Sequence, residues 1–255
     1  MKDVFSSLKR LFDVSLSDNQ RLLKLSTPLG SRLLLVQRVV ANEQVSTPFS
    51  FHVDCLSQGH DLDLRQLLAQ PVTLSVLQAN GTYRDIHAVV TDAAILGHDS
   101  GLSDYQLTLK PWIALLEHVS DNRIFQDLNT VEIVTKILEN HAFAEGGFRF
   151  ELRDPDRYPK RSYCVQYRES DYHFISRLLE EEGIWWYVAQ DADKHTIVFI
   201  DNNDACPQVA PEAIRFHRQA ATENADSLTD WGRQHHVHSN RVSLGSFDYK
   251  IPSMS

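Results

Sequence analysis

The sequence predicts an α+β protein, mainly β, made of two related antiparallel β-barrel-like units with short helices. Three observations carry this. Residues 21–110 alternate apolar and polar positions in short runs broken by Gly, Pro and Asn, the period-two pattern of half-buried strands. Asn80-Gly81 stands between two such runs and is a strong local signal for a hairpin. From residue 111 apolar residues recur at helical spacing in two segments, with further strand patterns between and after them. The expected organisation is an amphipathic segment over 1–20, a first barrel unit over 21–110 and a second α+β unit over 111–205. A polar connecting segment is expected over 206–255, with strand-like stretches that could return it to a barrel.

The elements follow in order. Val4, Phe5, Leu8, Leu11 and Phe12 share one helical face, expected to dock on its own domain. RLLKL is a strand, turned by Pro28 and Gly30 into RLLLVQRVV, whose apolar run predicts a strand buried on both faces. STPFSFHVDCLS sets Phe49, Phe51, Val53 and Cys55 on one side. DLDLRQLLAQ reads as a short helix stopped at Pro71. VTLSVLQ and TYRDIHAVVTDAAIL form the hairpin, and HDSG turns the chain into LSDYQLTLK, which Pro111 stops. PWIALLEH is a helical turn. NTVEIVTKILENH is a helix with Thr130 as N-cap and Ile133, Val134, Ile137 and Leu138 inward. RSYCVQYR is a strand, followed by a helix with Ser170 as N-cap, Phe174, Ile175, Leu178 and Leu179 inward, and Gly183 as its stop. IWWYVAQ and HTIVFID pair around DADK. A short helix is expected near Ala225–Gly232 and a strand in RVSLGSFDYKI. DLRQLLAQPVTLSVLQ and FISRLLEEEGIWWYVAQ echo each other weakly, as two related units would.

Composition removes several function classes. A chain of 255 residues with 42% hydrophobic and 23% charged residues has an ordinary globular makeup. Its formal net charge of −9, with acidic residues interleaved in its densest basic run from Arg149 to Arg161, sets nucleic acid aside as a main partner. Cys55, Cys164 and Cys206 are odd in number and lack a CxxC pair, which fits a reducing compartment and no disulfide framework. The N-terminus has neither the apolar core nor the cleavage site of a signal peptide, and no window predicts a membrane anchor.

The chemistry-bearing residues concentrate in QYRESDYHFISRLLEEEGIWWY, residues 166–187. Glu169, Asp171 and Glu180 to Glu182 invite a glycosidase reading. Glu180, Glu181 and Glu182 however lie in the last helical turn, where the macrodipole disfavours negative charge, and they point in different directions. Carboxylates that are solvated or paired across subunits are the preferred reading. Arg177 reaches Glu181 only in the weaker orientation, so Arg123, Arg161 or Arg168, or an arginine of another subunit, is the expected partner. Trp185 and Tyr187 share a strand face opposite Trp186, so one face is core and the other an interface or barrel lining. The expected subunit-interface set is therefore Arg168, Glu169, Arg177, Glu180, Glu181, Glu182, Trp185 and Tyr187, with no catalytic, cofactor or metal residue assigned. His235, His236 and His238 resemble a metal tract, with Asp230, His217 or another chain as a third ligand, but read as polar surface histidines. Cys164 has His141, His173 and Asp171 near it in sequence and reads as a core or half-buried thiol. No GxSxG, HExxH, P-loop or GxGxxG motif is present.

RIFQDLNTVEIVTKIL at 123–138, YPKRSYCVQYRESDYHFISRLLEEEGIWWY at 158–187 and HTIVFID at 195–201 resemble the N-terminal hub region of the VgrG family, the spike proteins of the bacterial type VI secretion system. VANEQVSTPFSFHVDCLS at 39–57 and GLSDYQLTLKPWIALLEH at 101–118 resemble the same family, related to the tail hub of contractile phages. The resemblance implies a homotrimer whose two similar barrels per subunit form a pseudo-sixfold ring on the hexameric Hcp tube. It also implies contact with type VI baseplate proteins, carriage of effectors or adaptors, and no cofactor. Such a spike is cytoplasmic before firing and is then driven into a target cell without a signal peptide. VgrG proteins continue into an OB-fold and a β-helical needle with a PAAR tip. No valine-rich repeat follows residue 240, so the sequence is expected to be a fragment or a short form. Two other readings remain open, a phage baseplate hub and a wall hydrolase using Glu169 or Asp171.

Overall fold

A computed structural model describes residues 21–30, 33–99, 101–208, 214–216, 227–237, 239–241 and 243. The expected N-terminal amphipathic face, His217, His238 and most of the 241–251 strand lie outside them. The chain divides into two compact units, 1–208 and 209–255.

The first unit begins with six strands: β1 (Leu23–Ser26), β2 (Leu35–Gln44), β3 (Thr47–Ser57), β4 (Pro71–Leu77), β5 (Tyr83–Asp99) and β6 (Leu102–Lys110). They form one antiparallel sheet in the order β1-β4-β5-β6-β3-β2. β4 and β5 are joined by the five residues 78–82, with Leu77 opposite Tyr83 and Gly81 at φ 83 supplying the left-handed step that the Asn80-Gly81 signal announces. β5 is long because it serves two partners, β4 along its first half and β6 along its second. Register shifts between Val90 and Asp92 and between Ile95 and Gly97 bend it. Bulges of this kind raise local twist, so the sheet curls. Edge strands β1 and β2 are thereby brought together, and the Arg21 Nη1 donates to the Val36 carbonyl at 3.3 Å across the opening. Phe49, Phe51, Val53 and Cys55 of β3 face inward with Leu74, Ile86, Tyr105, Leu107 and Leu109.

Two expectations change here. β2 is an edge strand, not one buried on both faces. Leu35 and Val36 at its start are buried, but Val40 is 45% exposed, and β3 is its one strand partner among the described residues. The segment before Pro71 makes only a 3-10 turn at Leu64–Gln66, capped by the Asp63 side chain, so its echo with the later helix is looser than the sequence suggests.

Pro111 ends β6 and opens a 3-10 turn, Trp112–His118, into a second core. There follow β7 (Ser120–Phe125), α1 (Thr130–Glu139), β8 (Phe148–Glu151), β9 (Cys164–Ser170), α2 (Asp171–Glu182), β10 (Trp185–Gln190) and β11 (His195–Ile200). Asn129, not Thr130, caps α1, and it forms a reciprocal capping box with Glu132. The predicted inward faces of both helices are buried together with Trp112, Trp186, Ile197 and Phe199. The expectation of a second antiparallel barrel is corrected among the described residues. β10, β11 and β8 form a three-stranded sheet in which β8 runs parallel to β11, while β7 and β9 pair as a separate ribbon. α2 lies between β9 and β10 in the chain and separates them into different sheets. The unit is thus mainly β, with one curled antiparallel sheet and two small sheets around short helices.

In the second unit β12 (Arg215–Phe216) pairs parallel with β13 (Ser227–Leu228). Residues 227–228 are therefore strand and 229–232 carry no helix, contrary to the helix expected near Ala225–Gly232.

Candidate functional site

The charged corner is built by β9, α2 and β10. Ser170 ends β9 in extended backbone, and its Oγ accepts the His173 N–H at 3.2 Å, which starts the helix. Gly183 ends the helix at φ 71, where a side chain would be strained, and sends the chain into β10.

Asp171, the first helical residue, turns inward and is fully buried. Its Oδ1 accepts from Arg123 Nη1 at 2.9 Å and Gln166 Nε2 at 2.7 Å, and its Oδ2 accepts from His141 Nε2 at 2.8 Å. Its own N–H donates to the Val119 carbonyl at 2.8 Å. One carboxylate therefore ties together β7, the end of α1 and β9. A buried charge is tolerable only with such complete pairing. Nothing local in the sequence announces the charged members of this cluster, because His141 and Arg123 stand 30 and 48 positions from Asp171.

Glu169 is held by a two-pronged contact from Arg177, with Nε 3.0 Å from Oε2 and Nη2 2.8 Å from Oε1. Those hydrogen bonds hold the Glu169 carboxyl below its usual range and raise the Arg177 guanidinium. Arg177 also donates to the Val165 carbonyl at 2.8 Å. It therefore binds the strand, and does not face Glu181. Arg161 supplies that partner: its Nη1 lies 2.8 Å from Glu181 Oε2 and its Nη2 lies 2.6 Å from Glu182 Oε1. Burial works against the Arg161 charge, but the bonds to Glu181 and Glu182 outweigh it and raise its pKa. Thr130 Oγ1 adds a bond to Glu182 at 3.1 Å. Glu181 and Glu182, two of the three carboxylates placed against the helix dipole, are thus compensated within the chain, by one of the three arginines the sequence offered.

Two charges of the set remain outward. Glu180 is exposed and has no ion-pair partner among the described residues. Arg168 sits at φ 52 within a β-bulge, where its N–H donates to Asn122 Oδ1 at 3.0 Å and its guanidinium stands 5.2 Å from the Tyr167 ring. The bulge aims Arg168 and Tyr167 into solvent beside exposed Ile124 and Tyr163. Trp185 and Tyr187 lie half-buried with ring centroids 6.4 Å apart, opposite buried Trp186. Cys164 is buried, and that burial pushes its thiol up, away from a nucleophile's range. His235 and His236 are exposed, and among the described residues no group of three or more His, Cys, Asp or Glu is placed to hold a metal ion.

The arrangement gives rigidity. Glu169 and Asp171 are both occupied by arginine, so the pair singled out for acid–base work is engaged in structural bonds. A curled antiparallel sheet thus leads at Pro111 into a helix-bearing core whose corner is held by paired charges. The chain belongs to the phage tail baseplate hub (GPD) family, which its residues 42–255 match. It is 30% identical over 241 residues to the type VI secretion system spike protein VgrG1b of Pseudomonas aeruginosa, covering 94% of this chain and 32% of that protein. It is 32% identical over 234 residues to VgrG1a of the same organism, covering 91% and 36%. The chain spans about a third of the length of these relatives. Among solved structures it resembles the E. coli c3393 protein, described as a type VI secretion component with structural similarity to T4 tail proteins gp27 and gp5. That match has a TM-score of 0.63 at 32% identity, over 72% of this chain and 50% of the other. A half-lidded Francisella PdpA-VgrG complex shares the fold at a TM-score of 0.55 and 13% identity, over 80% of this chain and 35% of that one.

Proposed function

We propose that this chain is the structural hub region of a type VI secretion spike. In this reading it assembles as a homotrimer and docks on the Hcp tube. It contacts baseplate proteins and travels with effectors or adaptors from the cytoplasm into a target cell. The observation that carries this is the family match across residues 42–255, together with about 30% identity to spike proteins over most of the chain. No described helix is long and apolar enough to cross a membrane. The internal pairing of Glu169, Arg177, Glu181 and Glu182 narrows the proposed subunit contact to the residues whose groups remain available. These are Arg168, Glu180, Trp185 and Tyr187, with the paired four as its rigid backing.

Purified Hcp rings test the docking. The chain is expected to cosediment with assembled Hcp tubes, and failure to do so at any ratio would remove tube docking from the account. The phage baseplate reading is favoured by the family's own description and is separated by neighbouring genes: sheath and tube genes without capsid genes mark secretion. The wall-hydrolase reading requires turnover of peptidoglycan that Glu169→Gln abolishes. The Arg177 bond that keeps Glu169 charged disfavours it as a proton donor.

A further inference from the structure

Among the described residues, three strand edges run out of strand partners at one place. β5 pairs with β4 over Tyr83–Val89, but β6 joins it only from Val89 onward, so no described strand pairs with its other edge over 83–88. β3 meets β6 only from Phe51 onward, which leaves Thr47–Ser50 without a described strand on that side. The described strand partner of β10 is β11, along one edge. Between these edges lies a cavity of about 330 Å³ lined by Phe49, Phe51, Ile86, Tyr187, Val188 and Thr47, among others.

Small substitutes already stand in for a missing strand at both ends of the β10 edge. The Trp186 carbonyl accepts the Ser46 N–H at 2.9 Å, and the Trp186 N–H donates to Ser46 Oγ at 3.2 Å. At the far end the Gln190 amide plays the strand for β5, its Oε1 accepting the His87 N–H at 2.9 Å. In an antiparallel ladder alternate residues point their peptide groups to the same edge. Trp186 points away from β11, so Val188 does too, with its N–H and C=O aimed at the cavity. By the same alternation Asp85 points its peptide groups away from β4, between the lining residues Arg84 and Ile86.

We propose that this gap is a binding slot for a short extended peptide, which adds to the β10 edge at Val188 and places one bulky apolar side chain in the cavity against Phe49, Phe51 and Ile86. Strand addition draws affinity from main-chain hydrogen bonds and selectivity from a side-chain pocket, and both are present here. The volume lies at the lower limit of small-molecule sites and suits a single large side chain. The charges at the mouth, Arg84 and Glu43, face each other at 3.3 Å and cancel, so the slot matches a neutral segment and neither an acidic nor a basic one. Tyr187 is shared with the subunit contact proposed above, but the main-chain groups of Val188 and the Phe49, Phe51 and Ile86 lining do not depend on that assembly.

The probe is the capped pentapeptide Thr-Val-Phe-Val-Thr, followed through the amide signals of the isotopically labelled full chain. Saturable shifts are expected at Val188, Asp85 and Ile86. Methylating the backbone nitrogens of the two peptide residues flanking the phenylalanine is expected to weaken binding about tenfold or more, since each main-chain bond carries about that factor. Thr47→Trp, at an exposed lining position, is expected to block the slot while the remaining spectrum stays folded. Equal shifts from N-acetylphenylalaninamide alone would overturn strand addition. So would no shift at millimolar peptide, or shifts that appear on concentrating the chain without peptide, which would assign the slot to a second copy.

Discussion

His195 is buried, and its Nε2 accepts the Trp112 N–H at 2.9 Å. Burial, with the neighbouring His87 charge second, pushes its pKa down to about 4. The folded value lies below the ordinary 6.5, so the unfolded chain takes up the proton first. Stability from this group is therefore complete above about pH 6.5 and declines as pH falls toward 4, by roughly 3 kcal/mol in all. Urea unfolding at stepped pH is expected to show this decline and His195→Gln to flatten it; an unchanged slope would refute the assignment. Asp171 and Glu169 make a second contrast. Asp171→Asn breaks a fully buried charge cluster and is expected to cost about 3 kcal/mol or more. Glu169→Gln breaks a half-exposed pair and is expected to cost under about 1 kcal/mol. Equal losses in denaturant melts would contradict the distinction. The sequence shows these two carboxylates as near neighbours of one kind. It does not show that one points into the core, because the arginine and histidine that receive Asp171 arrive from β7 and the end of α1.

At the scale of elements, period and punctuation were the legible signals. The inward faces of both helices, Ser170 and Gly183 as the caps of α2, and the strand alternation of β3 all follow from spacing. Asn129 and Thr130 are both capping residue types, and Glu132 three positions after Asn129 is the signal that selects Asn129. Asn129→Ala is expected to lower stability by about 1 kcal/mol through the lost cap. Gly183→Ala is expected to cost a similar amount, about 1 kcal/mol, through the left-handed backbone alone, since an added Cβ there meets nothing within 4 Å. Thermal melts check both, and a neutral Gly183→Ala would contradict the strain. β2 shows where the signal fails. An apolar run reads the same on an edge strand as on a central one, and only the order of the sheet decides which it is.

For the whole molecule, the antiparallel strands of the curled sheet were readable where they form local hairpins, β2–β3, β4–β5 and β5–β6, while the long-range pairings β1–β4 and β3–β6 that set its order were not. The second core was not, because β8 joins β11 in parallel across a connection containing β9, α2 and β10, and no local pattern encodes such a return. The same limit applies to assembly, which resides on surfaces the chain leaves open. Arg168 and Glu180 are the outward charges of the corner, and Glu180→Lys alters one of them without touching the Arg161 bonds. Reversal at Glu181 or Glu182 would disturb folding as well. Sedimentation velocity of the 29.2 kDa chain, native and Glu180→Lys, therefore tests the hub reading most directly. The account predicts a native species of three times that mass, and a Glu180→Lys species shifted toward one subunit at an unchanged melting temperature. A native chain that sediments as a single subunit at every concentration would contradict it.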